Sequence, residues 1–234
     1  MPPVAGYTAW YDASAITGAA DGAALASWPD QSANHYDLAQ ASAGAKPTYY
    51  KTTSAQLQNG LPTIVFNGSS SYMSSASSSL PATDPCVVFA VFKTTAPATA
   101  EGDIFHKGNG PFVLLAGSQY YANAGGPYIH GGTTDTAIHV VTALVSGSIT
   151  SVLRVDGVQV ASGSITSTLA AAGLNVGADL TPSHFFAGTI CELIYYSASS
   201  LVLADWQANE TYLQNKWVAG RGVFGDTDKP KGPQ

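Results

Sequence analysis

The chain has 234 residues and a formal net charge of −6 at pH 7, and charged residues make up only 10% of it. A hydrophobic fraction of 45% with so little charge indicates a folded protein, because disordered chains combine low hydrophobicity with high charge. The nine Lys and Arg residues are scattered singly along the chain. The sequence therefore lacks the clustered positive charge by which proteins bind nucleic acids or anionic membrane surfaces.

The N-terminus has neither the charged n-region nor the apolar h-region of a signal peptide. We therefore expect synthesis in the cytoplasm without a signal, the alternative being a signal that was removed. The longest apolar run covers residues 86–92, well short of the roughly 20 residues that span a bilayer. Cys86 and Cys191 fall in predicted core strands and are expected to be buried thiols, with a disulfide between them left open.

Short predicted strands, separated by turns, follow one another through most of the chain. In chain order they cover residues 7–12, 46–50, 61–67, 86–93, 104–107, 112–115, 118–121, 138–145, a hairpin at 151–161, 174–177 and a strand within 184–197. In the strand at 86–93, residues 86–92 are all apolar, which is typical of a central strand covered on both faces. This spacing of strands and turns predicts a β-sandwich or barrel.

The hairpin carries the clearest local signal. Asp156 and Gly157 fit a two-residue type I′ turn between alternating arms. The alternation predicts one set of side chains on the core face, namely Leu153, Val155, Val158 and Val160. It predicts that Arg154 and Gln159 face outward.

One amphipathic helix is predicted near the end, at residues 203–217. Its apolar stripe consists of Leu203, Trp206, Leu213 and Trp217. Glu210 interrupts the stripe and needs either a place at its edge or a partner. We predict one domain over residues 1–219, followed by a polar tail over 220–234 that has no core-forming pattern.

An ordered set of short motifs covers nearly the whole domain. The set comprises Trp10-Tyr-Asp, Trp28-Pro-Asp-Gln-Ser, Lys46-Pro, Asn59-Gly-Leu-Pro, Phe66-Asn-Gly, Val155-Asp-Gly, Phe186-Ala-Gly with Glu192, Tyr212-Leu and Lys216-Trp. In this order they resemble the laminin-G-like members of the concanavalin A-like jelly-roll superfamily. The resemblance implies an all-β jelly-roll sandwich of two antiparallel sheets with one short C-terminal helix. The helix departs from the pattern at its start, where Val202 stands in place of a Ser or Asp cap.

Some jelly-roll relatives are glycoside hydrolases, which need two carboxylates flanking the scissile bond. The closely spaced acids here are Glu101 with Asp103, in a glycine-containing loop, and Asp226 with Asp228, in the tail. Glu192 stands alone in a core strand, where a structural residue bonded to backbone or Tyr is the favoured interpretation. The five His residues show no paired zinc spacing, and no Gly-x-Ser-x-Gly elbow is present. We therefore expect no enzyme, with a glycoside hydrolase-like activity as an alternative.

Calcium is the metal that the resemblance leaves open, since laminin-G relatives sometimes hold one. Candidate ligands are Asp12, Asp30 and Asp179, which lie in loops near strand ends. The competing interpretation is that these side chains cap turns. We expect no cofactor, with calcium as the alternative.

A second group of residues suits carbohydrate recognition, because sugar rings stack on exposed aromatic rings and polar neighbours bind their hydroxyls. The candidates lie close together in sequence around a Gly-Gly-Pro turn and are Tyr120, Tyr121, Asn123, Tyr128 and His130. The competing interpretation is that these rings cover the sandwich.

The resemblance implies a recognition or assembly module, of the kind found on bacterial surface proteins, secreted glycosidases and phage virions. Our leading interpretation is a virion surface protein, capsid-decorating or tail-associated, that also binds glycan. We expect its tail to contact neighbouring protein subunits, since free tails of this composition rarely order alone. The alternative is a carbohydrate-binding adhesin module of a bacterial surface or secreted protein.

Overall fold

The computed structural model describes residues 1–75, 80–81, 83–96, 100–108, 110–165, 173–197 and 201–218. The predicted tail, together with Asp226 and Asp228, lies outside the described residues. Short 3-10 turns occur at Ala13–Ala15 and Ala43–Ala45. The strands are β1 (Ala9–Asp12), β2 (Ala23–Ala24), β3 (Ser27–Trp28), β4 (Leu38–Ala39), β5 (Thr48–Tyr50), β6 (Thr63–Asn67), β7 (Met73–Ser75), β8 (Cys86–Thr94), β9 (Gly102–Lys107), β10 (Gly110–Ala116), β11 (Gln119–Ala122), β12 (Ile129–Gly131), β13 (His139–Val145), β14 (Ser151–Val155), β15 (Val158–Gly163), β16 (Leu174–Val176) and β17 (Ala187–Tyr196), and the α-helix is α1 (Leu203–Trp217).

In the described ranges, the strands form two antiparallel sheets. The nine-stranded sheet has the order β15-β14-β13-β8-β17-β6-β5-β2, with β1 paired to β17. The eight-stranded sheet has the order β12-β11-β10-β9-β16-β7-β4-β3. The predicted class, an all-β jelly-roll sandwich of two antiparallel sheets with one short C-terminal helix, is therefore confirmed. None of the helices described is long and apolar enough to cross a lipid bilayer.

The core lies between the two sheets, and β8 is its central strand. Residues 86–92 of β8 are buried on both faces. One face meets the core and the other lies under α1, which explains why the strand is apolar throughout. Burying each large apolar side chain contributes about 1.5–3 kcal/mol to the free energy of unfolding.

The β14–β15 hairpin confirms the predicted turn but corrects the predicted faces. Asp156 and Gly157 have φ of 51° and 82°, as a type I′ turn requires. Val158, predicted to face the core, is 65% exposed. Arg154, predicted to face outward, is only 8% exposed. The reason is a register shift between Leu153 and Arg154 and the presence of α1 over this face, where Arg154 finds a carboxylate partner.

Helix α1 begins and ends where the sequence predicts, at Leu203 and Trp217. Leu213 and Trp217 are buried as predicted, but Leu203 is 52% exposed, because burial is concentrated in the second half of the helix. Glu210 has the partners its position requires: it accepts hydrogen bonds from Arg154 Nε and Thr142 Oγ1, both at 2.8 Å. The missing side-chain cap at Val202 is confirmed, and Asp205 Oδ2 instead accepts from the Val202 amide at 3.0 Å.

Both cysteines are buried, as predicted, and neither takes part in a disulfide. The Cys86 thiol lies 3.1 Å from the Tyr195 hydroxyl. Burial raises the pKa of the Cys191 thiol well above its ordinary value, so this thiol stays protonated and unreactive.

Candidate functional site

Glu192 is the acid that sequence analysis singled out in a core strand, and its contacts are structural. Its Oε1 accepts from Trp10 Nε1 at 2.7 Å and from the Tyr212 hydroxyl at 3.1 Å. Its Oε2 accepts from Trp217 Nε1 at 2.6 Å and from Lys216 Nζ at 2.7 Å. Burial raises the pKa of Glu192 and Asp12 raises it further, while Lys216 opposes the shift. The predicted bond to a Tyr is confirmed.

The three aspartates considered for calcium are held separately, each by its own turn or ion pair. Asp12 accepts from the Ser14 amide at 2.9 Å and pairs with Lys216 at 2.6 Å. Asp30 accepts from the backbone amides of 10, 32 and 36 at 2.8, 2.8 and 2.9 Å. Asp179 accepts from the Ser183 amide at 2.7 Å. These contacts are those of the competing turn-capping interpretation.

Two of the five predicted glycan-contacting side chains are directed away from the surface. Tyr120 is 2% exposed and packs in the core, with its ring centroid 6.3 Å from that of Phe92. Asn123 is 4% exposed, and its side chain closes its own turn by accepting from the Gly126 amide at 3.0 Å and donating to the Gly126 carbonyl at 2.8 Å. Tyr120 is buried because it alternates with Tyr121 along β11, and successive side chains of a strand point to opposite faces.

The other three candidates come together on the surface as an aromatic cluster of Tyr121, Tyr128 and His130. The Tyr121 and His130 rings are stacked, with centroids 4.8 Å apart and planes 20° apart. Tyr128 packs edge-on against Tyr121 at 5.8 Å and is 47% exposed. His130 is exposed, and its Nδ1 lies 3.0 Å from the Gln119 side-chain oxygen.

The aromatic cluster belongs to one face of the eight-stranded sheet. Tyr121 and His130 are direct partners across β11 and β12, Leu114 is the partner of Tyr121 on β10, and Asp103 is the partner of Leu114 on β9. Direct partners project from the same face of a sheet. This row of paired residues therefore places two of the aromatic rings and a buried acid on the same face of the sheet.

That acid belongs to a second group, the acid–histidine cluster of Glu101, Asp103 and His184. One ligand atom from each side chain lies within 4.8 Å of the others. The distance from His184 Nε2 to Glu101 Oε2 is 3.9 Å. Glu101 and Asp103 also raise the pKa of Tyr128, after the larger effect of its partial burial, so the two clusters are neighbours. Two carboxylates and an imidazole at these distances are the residues here that could hold a metal.

The spacing in the sequence pairs Glu101 with Asp103 but does not connect them to His184. His184 lies in the loop before β17, about 80 positions along the chain from the two acids. The spacing of residues in the sequence therefore does not predict that it contacts them. A bulge in β9 contributes as well, because the pairing with β10 skips Ile104. The bulge turns Asp103 and His106 to one face, where Asp103 Oδ2 lies 2.6 Å from His106 Nδ1.

A small cavity of 220 Å³ opens beside Glu101. Its lining includes Thr94, Thr95, Phe185 and Ala187. Ligand pockets usually enclose roughly 300–1,000 Å³. This cavity is therefore smaller than a usual ligand pocket.

Comparison with known proteins gives a likeness of fold. No family model matches the sequence, and no curated protein matches it. Among solved structures, domain 4 of AbnA, a GH43 extracellular arabinanase from Geobacillus stearothermophilus solved with arabinotriose, superposes with a TM-score of 0.59 at 15% identity, over 87% of this chain and 98% of that domain.

Two further structures cover smaller parts of their own chains. Trypanosoma rangeli sialidase with sialic acid has a TM-score of 0.57 at 12% identity, over 92% of this chain but 34% of the sialidase. The receptor-binding domain of botulinum neurotoxin type G has a TM-score of 0.51 at 12% identity, over 82% of this chain and 51% of that domain. At such identities the likeness shows the fold alone. The chain shares the β-sandwich fold of these domains.

Proposed function

We propose that this protein is a non-enzymatic glycan-recognition module that binds saccharides on the aromatic cluster of Tyr121, Tyr128 and His130. The observation that carries the proposal is that stacked, partly exposed aromatic rings lie on the outer face of the eight-stranded sheet. A pyranose or furanose ring presents a flat C–H face that packs on such rings, and its hydroxyls need polar neighbours. Gln119 beside His130 supplies one.

Backbone pairing and turn contacts order the Tyr121–His130 pair and the turn beside it, which favours binding. The Tyr121–His130 pair is fixed by the β11–β12 ladder, and Asn123 holds the connecting turn through its contacts with Gly126. A site ordered before the ligand arrives loses less conformational entropy on binding.

Charge points to the class of sugar. The chain carries a net charge of −6, and Glu101 and Asp103 lie close enough to Tyr128 to raise the pKa of its hydroxyl, after the larger effect of burial. Like charges disfavour an acidic sugar at this place, so we expect neutral saccharides to bind better than sialylated or uronic ones. The arabinanase domain, solved with the neutral arabinotriose, supports saccharide recognition by this fold.

The non-enzymatic part of the proposal is supported by the state of Glu192. Both of its oxygens are occupied by indole, hydroxyl and ammonium donors, so it has no free oxygen to act as an acid or nucleophile. A glycoside hydrolase-like activity is the alternative. Incubating any bound glycan with the protein and searching for shortened products distinguishes the two, and turnover would contradict the proposal.

The test of binding is a glycan array followed by titration calorimetry with the best neutral ligand, on the wild type and Tyr128→Ala. We expect the substitution to weaken binding at least about tenfold, which is about 1.4 kcal/mol. Tyr50→Ala is the matched control, because Tyr50 is a partly buried tyrosine of the other sheet and should leave affinity unchanged. Retention of affinity in Tyr128→Ala, or an array without hits, would overturn the proposal.

The kind of protein to which this module belongs stays a prediction. The narrower assignment to the laminin-G-like family also stays a prediction. We favour a virion surface protein whose tail contacts neighbouring subunits, over an adhesin module of a bacterial surface or secreted protein. Light scattering on the full chain and on a chain ending at Gly220 tests this choice. If the full chain assembles and the shortened chain does not, the virion interpretation is supported. If both chains are monomers, it is contradicted.

A further inference from the structure

We propose that Glu101, Asp103 and His184 bind a divalent first-row transition metal of the Zn²⁺ type. The proposal concerns metal binding alone and is independent of whether the aromatic cluster takes a glycan. Its evidence is a buried carboxylate oxygen with no hydrogen-bond partner in the described part of the chain, a convergent ligand set and an outer shell that orients the ligands.

Asp103 gives the first observation. The residue is fully buried, and its Oδ2 lies 2.6 Å from His106 Nδ1. Its Oδ1 is buried and has no hydrogen-bond partner among the described residues. A buried, charged oxygen left without a partner is costly, and native proteins satisfy such groups with a donor, a water or an ion. A cation between Asp103 and its two neighbours would satisfy it.

The ligand atoms are close enough for one ion. They lie within 4.8 Å of one another, and His184 Nε2 is 3.9 Å from Glu101 Oε2. Zinc bonds of roughly 2.0–2.2 Å place neighbouring tetrahedral ligands about 3.3–3.6 Å apart. The Glu101 and His184 side chains, 34% and 49% exposed, have room to close that difference around an ion, while Asp103 stays fixed.

The donor set selects the class of metal. Calcium and magnesium take oxygen ligands, whereas an imidazole together with carboxylates suits zinc and its first-row neighbours. The cluster offers three protein ligands, which leaves a coordination position for water or another ligand. The three calcium candidates, Asp12, Asp30 and Asp179, offer carboxylate oxygens alone.

An outer shell orients the ligands. Asp179 Oδ2 lies 3.3 Å from His184 Nδ1, the ring nitrogen that faces away from Glu101. Asp179 is itself held by the Ser183 hydroxyl at 2.6 Å. The His184 carbonyl accepts from the Asp103 amide at 3.0 Å, which ties the loop to β9. A carboxylate behind a metal-binding histidine is the usual means of fixing its tautomer and ring orientation.

The experiment is calorimetric titration of ZnCl₂ into EDTA-treated, dialysed full-length protein without an affinity tag. We expect one Zn²⁺ per chain. His184→Gln and Glu101→Gln, both at partly exposed positions that should fold normally, are each expected to weaken binding at least about tenfold. Asp179→Asn should weaken it by about 10–100-fold without removing a ligand. CaCl₂ titrated under the same conditions should bind more weakly.

His130→Gln is the matched control, because His130 is an exposed histidine of the same sheet face outside the acid–histidine cluster. It should leave the zinc affinity unchanged. Thermal unfolding with ZnCl₂ and with EDTA adds a second measurement, in which zinc should raise the Tm of the wild type and not that of His184→Gln. Equal zinc affinity in the wild type and His184→Gln, no one-to-one binding, or tighter calcium binding would each overturn the proposal.

Discussion

Glu192 and Asp103 are both fully buried carboxylates, one in each sheet, yet their surroundings are opposite. Glu192 accepts hydrogen bonds from four side chains, and one of them is the ammonium of Lys216. Asp103 has a single side-chain contact, to His106, and its second oxygen has no hydrogen-bond partner in the described ranges. Burial alone therefore does not distinguish the two acids, whereas the hydrogen bonds made by each oxygen do.

The difference originates in what covers each sheet. Glu192 stands directly opposite Asp12 across β17 and β1, which would be destabilising for two like charges. Helix α1 packs over this face and brings Lys216 to both carboxylates, at 2.6 and 2.7 Å. The face that carries Asp103 instead presents the aromatic cluster to solvent.

Removing the positive charge of Lys216 beside Glu192 should have the largest effect on stability. Lys216→Met leaves two buried carboxylates facing each other, and breaking a buried pair in this way costs about 3–5 kcal/mol. Urea denaturation at pH 7 measures the loss. The loss should shrink as the pH falls below 7, because burial and Asp12 raise the pKa of Glu192 above its ordinary value and a protonated Glu192 no longer repels Asp12.

Lys46→Met is the control for that measurement. Lys46 lies outside the Glu192 contacts, so its loss should stay within about 0.5 kcal/mol of the wild type. A cost below about 1 kcal/mol for Lys216→Met would place its ion pairs with the weak surface pairs. The contrast between the two acids would then fail.

The same comparison predicts that removing the charge of Asp103 raises the free energy of unfolding. Asp103→Asn removes a buried charge and replaces one oxygen by an amide group that can donate toward Glu101. In metal-free protein we therefore expect a gain of about 1 kcal/mol in the free energy of unfolding, in the range of one recovered hydrogen bond. Glu192→Gln, measured alongside, should destabilise. If Asp103→Asn also destabilised the EDTA-treated protein, Asp103 would be a structural acid like Glu192.

Local patterns explain which features were predictable from the sequence. Helical spacing predicted the bounds of α1, and Asp156-Gly157 predicted a type I′ turn, because both signals are contained within a few neighbouring residues. The burial of Arg154 was missed, because it depends on Glu210, which lies 56 positions away on the helix.

The candidate site was predictable only where it is local. Tyr121, Tyr128 and His130 meet because a single hairpin brings them together. Strand alternation could already have removed Tyr120 from that set. The acid–histidine cluster joins β9 to the loop before β17 and depends on a bulge at Ile104, and neither feature leaves a periodic trace in the sequence.

His139 is a third, intermediate case, because the positive charge that it places beside two acids is lost when the ring deprotonates. Its Nδ1 lies 2.8 Å from Asp156 and its Nε2 lies 2.9 Å from Asp135. Burial lowers the pKa of His139, but the hydrogen bonds to Asp156 and Asp135 outweigh it, so the pKa is raised above 6.5. A raised pKa means stability that is fully present below the unfolded value of about 6.5 and lost as the pH rises through the folded value.

His139→Gln should therefore cost more at pH 6 than at pH 8.5, when urea denaturation of each variant is compared with the wild type at the same pH. The effect should be the smallest of the three, because Asp135 is 61% exposed and exposed pairs contribute only about 0.2–1 kcal/mol. His130→Gln is the control, since His130 contacts the neutral Gln119 rather than an acid. A His139→Gln cost that is equal at both pH values would show that His139 is held as a neutral ring. The acids around His139 would then be stabilised without a cation, unlike the buried acids around Lys216.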